Sequence, residues 1–433
     1  MFILFKNKIN NKNLFFIFNF FFIRIFSFFL IILITKKLVP HEFGKYVFFF
    51  SFQGIVLLLT LLGFSTLIIK EVSKYKNRPE KYQRLYYIIK FALIISLTFP
   101  ILYFLLFSFF NEIFLDIFKH SYIYLNLIII ISSINNILIS INYGLERYKN
   151  NQLSEIFFKN FLFLILILFL DNVNLQSILT IYLVISLLHF FILFYGLLDF
   201  FKLVFKKNNK YQVQPTLISS LLSLGANSIL SSVFLRMDVF VIEKFSTFDN
   251  LANYSLTYQL GFIPFMFAAA LDPIISVKFS QFNKKNISQM RKILIFARLI
   301  YLLFTILYFL FSIVFMEKIC ALLFPNYSIN INNINLIIFF CIILSPFQFV
   351  GNFLSMNGQE KWINKSYFIA IFTNLILCSI LILFYGILGI IIGVLVSFFL
   401  IFFIQNFKLN KIIKIKLSDY LKFFIANKDY AKN

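Results

Sequence analysis

The sequence predicts an all-α polytopic membrane protein of about twelve transmembrane helices, and three observations carry that prediction. The chain is 61% hydrophobic and only 13% charged over 433 residues. Uninterrupted apolar runs of spanning length, about 20 residues each, recur from Leu14 to Phe407. The lysines and arginines collect in the brief segments between those runs. A soluble domain of ordinary composition could not accommodate a dozen such runs. Mean hydropathy is +0.89.

The first run, roughly 14–35, follows a basic tail carrying Lys6, Lys8 and Lys12. It outlasts the apolar core of a signal peptide and lacks a small-residue cleavage site, so it reads as a retained helix. The next three spans are placed at roughly 47–69, 86–109 and 122–144, the third of these carrying Ser132, Asn135, Asn136, Ser140 and Tyr143 at helical spacing. The fifth, roughly 157–170, is short, and the sixth, roughly 178–198, holds the buried imidazole His189. The seventh, roughly 217–242, contains a charged pair, Arg236 and Asp238. The eighth, roughly 253–276, should bend at Asp272-Pro273, because proline removes a helical hydrogen bond and crowds the preceding turn. The last four lie at roughly 293–315, 334–354, 366–385 and 388–407, and Gly63, Gly389 and Gly393 are read as close-packing points.

Charge gives the orientation. With the N-terminus placed in the cytoplasm, thirty Lys and Arg fall on cytoplasmic segments and six on external ones. Four more lie inside apolar runs, which accounts for all 40. Both termini should therefore be cytoplasmic. A net charge of +23 would suit nucleic acid, but its loop-by-loop distribution is the membrane pattern, and no nucleic-acid partner is predicted. A weak repeat at an offset of 208 residues sets Gly44-Lys45-Tyr46 on Ala252-Asn253-Tyr254, Lys70 on Lys278 and Lys90 on Arg298. Two pseudo-symmetric six-helix lobes, 1–210 and 211–433, follow from it, as parallel repeats with a path between them.

The four intramembrane cations are Arg24, Lys90, Arg236 and Arg298. A cation at mid-bilayer costs about 2.5–3.5 kcal/mol on insertion scales, so it normally faces the bundle interior or a polar cavity. Arg24 lies about ten residues from either end of its run, ~15 Å at 1.5 Å per residue, which is long for snorkelling. Lys90 and Arg298 lie about one turn inside the cytoplasmic face and either alone can reach the headgroups; as a related pair they can form a basic entrance. Together the cations are candidate binding residues for an anion, with Asn227 beside them on a polar stripe of Ser219, Ser223, Asn227 and Ser231. Small polar residues also serve as packing surface between membrane helices, and that reading competes for the stripe. Asp238 is the carboxylate deep within a span, two residues from Arg236 and so on a different face, and it is the candidate for exchanging a proton or Na⁺.

Enzyme signatures are absent: there is no H-E-x-x-H, G-x-S-x-G, Walker A motif or Cys/His cluster, and no cofactor or metal is predicted. His189 alone could mark an acyltransferase, although a hydrogen-bonded structural histidine fits better. Cys320, Cys341 and Cys378 show no pair spacing and read as packing residues.

Several short motifs resemble those of the Wzx-type oligosaccharide and polysaccharide flippases of the MATE-like exporter superfamily. They are Lys12-Asn-Leu with Arg24, Leu38-Val-Pro-His-Glu-Phe-Gly-Lys-Tyr46, Gly63-Phe-Ser, Lys70-Glu-Val-Ser-Lys74, Leu235-Arg-Met-Asp238 and Asn253-Tyr254. The resemblance implies a MATE-like pair of lobes in a bacterial inner membrane, and movement of undecaprenyl-diphosphate-linked oligosaccharide, of O-antigen, lipopolysaccharide or capsule type, between leaflets. It also implies a glycan polymerase and other assembly proteins as partners. A multidrug exporter of the same fold would carry an acid in the first span, where this chain has Arg24. A lipid II flippase differs only in cargo, and a membrane glycosyl- or acyltransferase is the rival from another class.

Overall fold

The computed structural model describes residues 11–75, 82–109, 122–147, 151, 153–170, 173–205, 215–280, 287–415 and 419–420. Every element among them is helical. In chain order these are α1 (Asn11–Lys37), α2 (Pro40–Leu61), α3 (Phe64–Tyr75), α4 (Tyr82–Phe109) and α5 (Tyr122–Gly144). A π-helical segment (Glu155–Leu162) leads into α6 (Phe163–Leu168), followed by α7 (Leu175–Gly196), α8 (Leu198–Phe205) and α9 (Pro215–Phe234). Then come α10 (Met237–Phe245), α11 (Phe248–Gly261), α12 (Ile263–Ser280), α13 (Ile287–Leu323) and α14 (Ile331–Leu344). A 3₁₀ turn (Ser345–Phe347) precedes α15 (Val350–Met356), α16 (Glu360–Tyr385) and α17 (Ile387–Ile412). Among the described residues nine helices are long and apolar enough to cross a membrane, and the bent pair α11–α12 makes ten. The other two predicted spans correspond to α1, of 27 residues, and to the segment 155–168.

The chain divides into two compact units, Met1–Arg236 and Met237–Asn433. The sequence repeat placed the division at 210/211 instead. The difference is α9, which packs on α2 and α3 of the first unit.

In a bilayer, lipid tails are as apolar as leucine, so helices associate through close packing and interhelical hydrogen bonds. The first unit shows both. α2 opens with Pro40 in its first turn, after Val39 in extended backbone, a position where the missing N–H is no loss. It ends at Leu62 and Gly63, both at positive φ (44° and 82°), which breaks the second span before α3. A Cβ on Gly63 would lie 2.5 Å from the Gly225 nitrogen, and one on Gly225 would lie 2.7 Å from the Leu62 oxygen. The break in span 2 is thus in backbone contact with α9, an approach only glycine permits. Around it Phe64, Ile68, Leu85, Ile89, Ile137 and Leu197 form the core. Glu71 of α3 pairs with Arg84 of α4 at 2.6 and 3.0 Å, one partner nearly buried. Removing one member of such a pair costs about 3 kcal/mol, the low end for buried ion pairs.

Lys37, at the end of α1, donates to the Leu168 and Leu170 carbonyls where α6 ends. These are carbonyls that a helix terminus leaves without partners. The π-helical segment lies between α1 and α7. Its Asn160 accepts from Ser27 of α1 at 3.1 Å, and Ser154 just before it meets His189 of α7 at 3.1 Å. His189 is a fully buried, hydrogen-bonded tie between helices.

In the second unit Phe279, Tyr301, Phe349 and Phe353 centre a core built on α13, a helix of 37 residues. Span 8 bends by 53° at Phe262, upstream of Asp272-Pro273. Gly261 sits there, where a Cβ would be 2.8 Å from Ile337 of α14. α12 continues as a helix through Pro273. α16 and α17 form a hairpin about Gly386, at φ 56°, and Gly389 and Gly393 bring it together: a Cβ there would meet Leu381 oxygen at 2.2 Å or Cys378 Sγ at 2.6 Å. The close-packing role read for Gly63, Gly389 and Gly393 holds. The three cysteines are free and buried, as packing residues should be. The helix breaks lie at Leu62 and Phe262, so they do not follow the 208-residue offset.

Candidate functional site

The charged feature of the first unit is Arg236, in the turn that ends α9. That turn is closed by the Leu235 and Arg236 amides bonding Ser231 and Val233 oxygens. Its guanidinium is half-buried and lies against α2 at Gly54. A Cβ at Gly54 would stand 2.5 Å from Cζ, 2.6 Å from Nη2 and 2.8 Å from Nε. Three near-equal distances mean that the guanidinium plane is broadside to the Gly54 α-carbon. Nη1 donates to Ser232 Oγ at 2.5 Å. A flat cation is therefore seated on a glycine and held by a hydroxyl one turn away. A hydrogen bond to a charged group contributes about 1.5–3 kcal/mol.

This seat went unread in the sequence. The signal is Gln53-Gly54, a polar and a small residue set into an otherwise apolar part of α2, with Gln53 also buried.

Gly225, Ser232 and Arg236 lie at steps of seven and four residues, so α9 turns one face to α2 and α3. Asn227 of the polar stripe lies two residues from Gly225, about 200° around the helix from it. Asn227 is half-buried, and Ser231 donates to its own helix at Ser228 oxygen, 3.0 Å. The side chains of Ser219 and Ser223 lie outside the described residues, as does that of Arg24, whose backbone belongs to α1.

Of the polar residues of span 4, Asn135 ties α5 to α7, while Asn136 and Ser140 bond within their own helix. Asn135 donates to Ser186 oxygen of α7 at 2.9 Å, Asn136 to Ser132 oxygen and Ser140 to Asn136 oxygen. Lys90 is exposed on α4, its ammonium 5.7 Å from the centre of the Tyr86 ring, the arrangement of a snorkelling side chain. Arg298 is 3% exposed. Its Nε donates to Gln348 oxygen at 3.1 Å and its Nη1 to the Tyr420 hydroxyl at 2.9 Å. The two residues that the repeat equated have opposite surroundings.

In the second unit Asp238 is buried in the first turn of α10 and accepts a hydrogen bond from the Tyr254 phenol of α11. Cys378 of α16 lies within electrostatic reach of Asp238. Cys378 itself points to Asn374 Oδ1 at 3.5 Å, and Asn374 is fully buried with its Nδ2 unpartnered. Sequence reading found the acid and missed the Tyr254 phenol from the next helix and the Cys378 thiol from α16. Among the described residues no three His, Cys, Asp or Glu side chains gather as a metal site.

A family model of polysaccharide biosynthesis proteins matches residues 12–279. The chain belongs to this family. No curated protein matches it significantly. Among solved structures it is similar to an inward-facing multidrug resistance MATE family transporter of the MOP superfamily, with TM-score 0.67 and 15% identity over 88% of this chain and 93% of the other. It is similar also to the lipid II flippase MurJ in an inward closed conformation, with TM-score 0.67 and 17% identity over 95% and 90% of the two chains. An outward-facing MATE transporter gives TM-score 0.65 at 14% identity. At such identities the likeness fixes the fold. This polysaccharide biosynthesis family member is a multi-pass membrane protein with the MATE transporter fold.

Proposed function

We propose that this chain is a flippase for undecaprenyl-diphosphate-linked oligosaccharide. It would carry an O-antigen- or capsule-type repeat unit from the cytoplasmic to the periplasmic leaflet of a bacterial inner membrane. Both termini are cytoplasmic in this reading, which the thirty-to-six basic bias supports. The observation that carries the proposal is the seated guanidinium of Arg236, a cation built into apolar helices of a polysaccharide biosynthesis family member. A planar guanidinium offers two parallel donors to a phosphate, where an ammonium offers a point charge. The absence of any Asp or Glu from α1 argues against a cationic drug as cargo.

Arg24 and Arg236 are the primary binding residues of this mechanism, with Asn227, Lys90 and Arg298 as further candidates. Asp238 is its coupling group, exchanging a proton or Na⁺ as access alternates. The test is Arg24→Ala and Arg236→Ala in cells, with membrane levels checked by blot. Surface glycan should disappear while its lipid-linked precursor accumulates on the cytoplasmic side, and Arg→Lys should leave partial export where a phosphate is clamped. Normal export by both alanine variants would refute the mechanism. Arrest of cell-wall synthesis in place of surface glycan would reassign the cargo to lipid II.

A further inference from the structure

We propose that Arg291, Arg298 and Gln348 form an oxyanion site for a phosphate or diphosphate group, which the chain's own Asp419–Tyr420 segment occupies as an internal stand-in. Arg291 and Arg298 are seven residues apart on α13, so they share one face two turns apart. Both reach the same short segment: Arg291 Nη1 lies 3.7 Å from Asp419 Oδ2, and Arg298 Nη1 donates to the Tyr420 hydroxyl at 2.9 Å. Gln348 joins them through its carbonyl, which accepts from Arg298 Nε at 3.1 Å.

The segment leaves much of this site unused. Arg298 Nη2, Arg291 Nε and Gln348 Nε2 are buried donors without hydrogen-bond partners among the described residues. Arg298 is 3% exposed and Gln348 4% exposed. Buried donors normally find acceptors, and an unmet one is costly. Here two of them lie on Arg291 and Arg298, which hold Asp419–Tyr420, and the third on Gln348, whose main-chain carbonyl Arg298 binds. The carboxylate and the phenol leave these three donors unmet where they sit. A tetrahedral oxyanion presents acceptor oxygens in more directions, and guanidinium geometry matches it.

The segment therefore acts as a latch. It is held to the Ile287 end of α13 through Arg291 and Arg298, and a phosphate must displace it to bind. This site rests on the second unit's residues alone and stands whatever the cargo is.

The full-length protein in phosphatidylcholine nanodiscs is titrated calorimetrically with inorganic diphosphate. The double variant Asp419→Asn/Tyr420→Phe should bind about tenfold more tightly, the worth of one charge-assisted hydrogen bond released. Arg298→Gln and, as a milder variant, Gln348→Leu should each bind at least several-fold more weakly. Diphosphate should also speed tryptic cleavage at Lys414 and Lys416 in the unmodified chain. Nanodiscs with phosphatidylglycerol identify the source. Weakened diphosphate binding and faster cleavage there assign the site to a lipid headgroup, and unchanged binding assigns it to a soluble or cargo phosphate. Equal affinity in the double variant, or full affinity in both Arg298→Gln and Gln348→Leu, overturns the proposal. Lost glycan export with diphosphate binding intact would count against the flippase reading and leave this site standing.

Discussion

Replacing Gly54 by alanine should unseat Arg236 without touching its charge. The added Cβ would lie 2.5 Å from Cζ, and ordinary contact begins near 3.4 Å. The guanidinium must therefore withdraw by roughly 1 Å, because the far end of an arginine yields more readily than the α2 backbone. That displacement breaks the 2.5 Å bond to Ser232 Oγ, a loss of about 1.5–3 kcal/mol for a charged donor. A misplacement of about 1 Å in a binding group can cost on the order of a hundredfold in rate. Export of surface glycan by Gly54→Ala should accordingly fall by about ten- to a hundredfold at normal membrane levels. The stronger check is the double-mutant comparison. If Gly54 acts through Arg236, Gly54→Ala/Arg236→Ala should be no worse than Arg236→Ala alone, since residues in contact do not add. The reasoning fails if Gly54→Ala exports normally while Arg236→Ala does not, or if the two defects multiply.

Gly225→Ala should destabilise the protein by about 1–3 kcal/mol, because its Cβ meets the Leu62 backbone at 2.7 Å and neither chain can step aside; thermal inactivation in detergent reads this, and an unchanged midpoint would deny the contact. Asp238→Asn keeps the shape that accepts the Tyr254 phenol and removes the charge. Export should then lose its dependence on imposed pH or Na⁺ gradients, and a normal response to both would move coupling elsewhere. Reporters active only in the periplasm, fused after Asn326 and after Asn410, should be on and off respectively. The reverse pattern would overturn the proposed topology.

The sequence by itself determined the membrane class and the positions of most helices, because a bilayer requires about 20 consecutive apolar residues and closes every backbone hydrogen bond within the span. It also named Arg236, Asp238 and Arg298, since a charge in an apolar run stands out whatever surrounds it. Helix breaks were legible only in part. Proline at Pro273 drew attention, yet the bend falls at Phe262, where Gly261 admits Ile337 from another helix. What those charges touch was decided by tertiary structure alone. Gly54 lies far from Arg236 along the chain, and Tyr420 lies beyond four further α-helices from Arg298. Periodicity describes one helix at a time and says nothing of which glycine faces which arginine. The equation of Lys90 with Arg298 failed for the same reason: equal depth along two helices left one cation exposed over a tyrosine and buried the other beneath the C-terminal segment. Depth in a span is written locally in hydropathy, whereas burial depends on the neighbours that only the folded chain supplies.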